Sequence, residues 1–161
     1  MTMDEDILVG QTITSVWINS DRDSLRFVVK GGPPITIGVR GACCTHSEIE
    51  DIDNPIALLS VIRDVKDPNY SYDSIQTKKD QRTEYYHCDI TTDLGTCSVN
   101  FIGSFHIGSP CAGGATLRWP DATDIADDEK EREKYPENDR SENWHPVVQL
   151  HPIAQHHEYP W

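Results

Sequence analysis

Apolar and polar residues alternate through the first quarter of the chain, and the alternation sets the expected elements. In 25–30, Leu25, Phe27 and Val29 alternate with Arg26 and Lys30; in 35–40, Ile35, Ile37 and Val39 alternate with Thr36 and Arg40. This two-residue period marks half-buried antiparallel strands. Ahead of them, 12–19 carries Ile13 and Trp17 on one face and Val16 and Ile18 on the other, a strand covered on both sides. Asp21-Arg22-Asp23-Ser24 and Gly31-Gly32-Pro33-Pro34 supply turn chemistry between the three, so they form a meander.

The period then changes. In 47–53 the apolar residues Ile49 and Ile52 fall three apart, Ser47 can cap, and Asn54-Pro55 stops the run, which predicts a short acidic helix. The run 56–65 is apolar enough for a buried strand, and the polar stretch 67–81 with Pro68 reads as a loop. Segments 83–92 and 96–103 form a hairpin around Asp93-Leu94-Gly95, with Tyr86, Cys88 and Ile90 on one face of the first arm and Cys97, Val99 and Phe101 on one face of the second. A turn centred on Leu94 sets Cys88 opposite Asn100. The small-residue stretch 104–114 lacks the Lys and the spacing of a phosphate loop and reads as a wide turn or bulge. The expected fold class is α+β, mainly antiparallel sheet of about five or six strands with one short helix after the cysteine pair.

Past Pro120 the pattern fails. Residues 121–145 hold ten acidic and four basic residues with scattered apolar ones, which suits a solvated helix over 123–134 braced by Asp127–Lys130, Asp128–Arg132 and Glu131–Lys134. From Trp144 to Trp161, prolines, histidines and aromatics mix without period, the composition of an extended arm. Trp144, Val148, Leu150, Tyr159 and Trp161 are the arm residues expected to bind a partner or the chain's own domain, because they otherwise leave apolar surface in water. The chain therefore divides into a compact domain over 1–119 and an acidic helix and arm over 120–161.

Charge narrows the partners. With 27 Asp plus Glu against 14 Lys plus Arg the net charge is −13, which repels nucleic-acid phosphates and anionic membranes; a protein partner with a basic groove is the complementary case. No apolar run approaches a membrane span, and Met1-Thr2-Met3-Asp4-Glu5-Asp6 is the opposite of a basic signal-peptide start, so a soluble protein acting where it is made is expected. Five cysteines without regular spacing do not form a secreted disulfide framework.

The chemistry-bearing candidates are few. Cys43, Cys44, His46, His87, Cys88, Cys97, His106 and Cys111 could supply a zinc site, since thiolate and imidazole are its usual ligands, and Cys43 and Cys44, with His46, sit where a strand is expected to give way to a helix. No Cys-x-x-Cys occurs, and buried structural thiols are the simpler reading. Cys44 beside His46 at a helix start is also the one candidate nucleophile, with no orienting third group assignable. Glu48, Glu50, Asp51 and Asp53 read as a solvated face. No cofactor and no catalytic residue are assigned.

Leu8-Val9-Gly10-Gln11-Thr12-Ile13, the strand ending in Cys43-Cys44, the following Ile49-Glu50-Asp51-Ile52 and the late stretch from Gly95 to Gly114 resemble a family of small uncharacterised proteins encoded by phages of actinobacteria. The resemblance covers about 7–114 and leaves the acidic tail outside. Ala42 and Ala112 depart from the Asp and the aromatic residue often found there in the family. The resemblance implies a viral accessory protein in the host bacterial cytoplasm and implies no activity. The expected function is non-enzymatic: binding to a host protein, with inhibition of that protein as one consequence such binding can have. The alternatives are a virion component whose arm reaches a neighbouring subunit, with homo-oligomers allowed, and a metal- or thiol-dependent enzyme built on Cys43 and Cys44.

Overall fold

A computed structural model describes residues 5–41, 45–66, 73–78, 80–107, 115–120 and 144–149, with the backbone alone for Glu5 and for 73–78. Among the described residues ten strands build two antiparallel sheets: β1 (Ile13–Asn19), β2 (Ser24–Val29), β3 (Ile35–Gly41), β4 (His46–Asp53), β5 (Ile62–Lys66), β6 (Asp73–Lys78), β7 (Gln81–Thr92), β8 (Gly95–His106), β9 (Ala115–Arg118) and β10 (Trp144–Gln149). The first sheet runs β10-β1-β2-β3-β9; the second runs β4-β8-β7-β5, with β6 on the same edge of β7 as β5. The expected meander of β1, β2 and β3 is present.

Each sheet buries one face, and the buried faces share one cluster. Leu25, Phe27, Ile37 and Val39 from the first sheet meet Cys88, Ile90, Val99 and Phe101 from the second. Tyr86 and Phe101 stack, with ring centroids 5.2 Å apart. The sheets are also hydrogen-bonded together at two corners. At one, Gly10 N donates to Ile62 O (2.7 Å), Ile62 N to Gln11 O (2.9 Å) and Lys30 N to Thr12 O (2.9 Å), so 10–12 bridges both layers. At the other, Arg22, in the left-handed region at φ 59°, accepts from Ile49 N (2.6 Å) while its guanidinium donates to Ile49 O (2.9 Å) and Glu50 O (2.8 Å). Arg22 thereby covers part of the open edge of β4.

The α+β expectation is overturned: the described residues form a two-sheet β structure whose only helical pieces are single 3-10 turns. The expected helix at 47–53 is β4. Its apolar spacing has another cause, since the register slips between Ile49 and Asp51 and sets Glu50 and Asp51 together opposite Asn100. A bulge inserts one residue, so Ile49 and Ile52 both face inward although they stand three apart. The same device corrects the reading of β1. A slip between Ile13 and Ser15 brings Ile13, Val16 and Ile18 to the buried face, and Trp17 alone of the large residues faces out.

The expected strand over 56–65 begins only at Ile62. Pro55–Leu58 forms a 3-10 turn after Asn54, which adopts φ 56°, and it buries the consecutive pair Ala57 and Leu58, which a strand cannot do on one face. The Thr92 hydroxyl donates to the Ala57 carbonyl. The expected loop at 67–81 contains β6, an edge strand too polar to show a period. The hairpin turns on two residues, Asp93-Leu94, so Cys88 faces Val99 and not Asn100. The expected helix over 123–134 lies outside the described residues.

Candidate functional site

Carboxylates are sorted between the two sheets, whereas basic strand residues occur in both, Arg63, Lys66, Lys78 and Arg82 among them in the second. No strand of the first sheet contains Asp or Glu; Arg26, Arg40 and Arg118 are its charged strand residues. The second sheet holds every carboxylate found in a strand. Strand alternation puts Tyr85, His87, Asp89 and Thr91 of β7 on its outer face, and ladder pairing carries that face across Ser98 and Asn100 of β8 to β4. There the bulge doubles the carboxylates, since Glu50 and Asp51 both project outward where a regular strand presents one.

The centre of this face is a hydrogen-bonded cluster. Asn100 Nδ2 donates to Asp51 Oδ1 (2.5 Å) and to Asp53 Oδ2 (3.1 Å), so one neutral amide holds two carboxylates side by side. Ser98 Oγ donates to Asp89 Oδ1 (2.7 Å), and His87 Nε2 lies 3.7 Å from Asp89 Oδ2. Beside the cluster opens a cavity of about 220 Å³ lined by Glu50, Asp51, Tyr85, Tyr86, His87, Asn100 and Phe101. Its lining joins the acidic residues Glu50 and Asp51 to Tyr85, Tyr86 and Phe101, a combination that suits the apolar stem and positive head of an Arg or Lys side chain.

The residues singled out by sequence fall elsewhere. Cys43, Cys44, Leu150, Tyr159 and Trp161 lie outside the described residues, as does Cys111. His46 opens β4 opposite Ser104, exposed, with Nε2 3.8 Å from Glu48 Oε2. Among the described residues no group of three or more His, Cys, Asp or Glu is placed to hold a metal. Cys88 and Cys97 are fully buried. Burial first, then the charges of Asp53 and Asp89, push the Cys97 thiol up to about 12, so it stays protonated and is no nucleophile at neutral pH.

Trp144 and Val148 sit in β10. The Arg26 guanidinium lies 4.2 Å from the centroid of a Trp144 ring, and Val148 pairs with Val16 and packs against the core. Sequence reasoning treated the acidic residues of 47–53 as a generic solvated face, considered His87 only as a zinc ligand, and gave Tyr85, Asp89 and Asn100 no role in a site. The available signal was the strict alternation of 85–91, whose outward set is polar and aromatic.

Among the described residues no helix is long and apolar enough to cross a membrane. No family model, curated protein or solved structure matches this chain.

Proposed function

We propose that the chain is a non-enzymatic protein-binding module whose acidic outer face on β4, β8 and β7 docks a basic surface of a partner protein. The observation that carries this reading is the confinement of strand carboxylates to one sheet, with Glu50 and Asp51 doubled by the bulge beside a cavity that Tyr85, Tyr86 and Phe101 help to line. Asp51 and Asp53 are held together on one amide, and an arriving cation converts their mutual repulsion into attraction on both sides. The net charge of −13 adds steering at a distance.

The resemblance to actinobacterial phage proteins supports reading the chain as an accessory protein of the host cytoplasm that occupies a basic surface of a host protein and blocks it. A second reading, a virion component, draws on β10, where an arm far along the chain completes a sheet as arms do between subunits of assemblies.

Affinity capture decides between these, using the full chain and its Glu50→Lys/Asp51→Lys/Asp53→Lys variant as baits against host lysate and purified particles. The proposal expects one host protein held by the wild-type bait and released by the charge reversal and by salt. Enrichment of a particle protein instead supports the virion reading. A partner held equally by both baits, or no specific partner at all, overturns the acidic face as the docking surface.

A further inference from the structure

Among the strands whose side chains are described, β10 alone has no fully buried residue. Among the described strands it pairs only with β1, and Pro146 removes one amide from the ladder. The register slips between Val16 and Trp17, opposite Val147. What holds the strand is Val147 and Val148 against the core, Trp144 on Arg26, and His145 Nε2 at 3.1 Å from Ser20 Oγ. Few buried contacts and an edge position place an element at the low end of local stability.

The chain leading to β10 is long for its task. Strands β9 and β10 are opposite edges of one five-stranded sheet, four strand spacings apart, about 19 Å. Between Pro120 and Trp144 the sequence has 23 residues (143 − 121 + 1), enough to span roughly 75 Å when extended. That reach serves a neighbouring copy as readily as the home sheet. Once β10 departs, β1 presents a row of unpaired amides and carbonyls, a template for another strand. The β10 of a second copy fits it best, because it restores the pairing and the Trp144 and His145 contacts without any new complementarity.

We propose that β1 is a strand-acceptor edge and that β10 exchanges between two copies of this chain. The inference is independent of the acidic face. Ser15 and Gln149 are register partners, and antiparallel partners stand about 4.5–5.5 Å apart at Cα, within disulfide range. Full-length Ser15→Cys and full-length Gln149→Cys chains are mixed at high concentration, taken through partial unfolding and back, and oxidised. The wild type and each variant alone control for native thiols, and the Ser15→Cys/Gln149→Cys double variant controls for the register. Exchange gives a species of twice the chain mass in the mixture, in which peptide mass spectrometry finds the two introduced thiols joined between chains. A bond formed only within the double variant's own chain overturns the proposal, and so does no bond in either sample.

Discussion

The bulge in β4 makes an unusual demand on deletions. Removing Glu50 takes out the extra residue, so Ile49 stays inward, Asp51 outward, Ile52 inward and Asp53 outward, now in regular alternation. The cost is confined to the Arg22 hydrogen bond to the Glu50 carbonyl and local adjustment of the ladder, about 1 kcal/mol. Removing Glu50 and Asp51 together shifts the parity: Ile52 turns to solvent and Asp53 into the cluster beside Ile49. Loss of the half-buried Ile52 contributes about 1 kcal/mol, and burying an unpaired carboxylate adds several more, for a total above about 3 kcal/mol. Urea unfolding followed by tryptophan fluorescence and far-ultraviolet circular dichroism gives both differences. A helix at 47–53 reverses the single-deletion result, since losing one residue rotates Ile52 off the apolar stripe. A single deletion as costly as the double refutes the bulged strand.

Three further outcomes are expected. Cys97 carries a thiol raised to about 12 in the fold against an ordinary value near 9, so its contribution is complete below about pH 9 and is lost as pH rises toward 12. That is about 1.4 kcal/mol by pH 10, and Cys97→Ala, though less stable throughout, should lose less between pH 8 and 10 in urea titrations; equal slopes contradict it. Phe101→Ala removes a fully buried ring and its stack on Tyr86 and should cost about 3–5 kcal/mol in the same assay. Arg22→Ala loses two hydrogen bonds to the edge of β4, so amide exchange should rise along β4 while β7 stays protected; uniform exchange in both strands contradicts the role of Arg22 as an edge cover.

The meander and the hairpin were legible because β2, β3, β7 and β8 keep a period of two over their pairing length. The misreadings of 47–53 and of β1 share a cause, and β5 shows the same pattern. Ile13 and Val16, Ile49 and Ile52, and Ile62 and Val65 each stand three apart, and in each strand a register slip lies between them. One inserted residue turns a strand's period of two into a local three, which imitates a helix, and only the partner strand reveals the slip. Strand β6 was invisible because an edge strand need not alternate. For the candidate face, the acidic residues of 47–53 were visible, but their union with His87, Asp89 and Asn100 depends on long-range pairing that no local pattern encodes.

The acidic face is tested most directly by titrating the captured partner against the full chain at several salt concentrations, wild type beside Glu50→Lys/Asp51→Lys/Asp53→Lys. Docking on this face requires affinity that falls steeply with salt and drops about tenfold or more in the variant, with a flatter salt dependence. Affinity indifferent to salt and unchanged by the three reversals contradicts it.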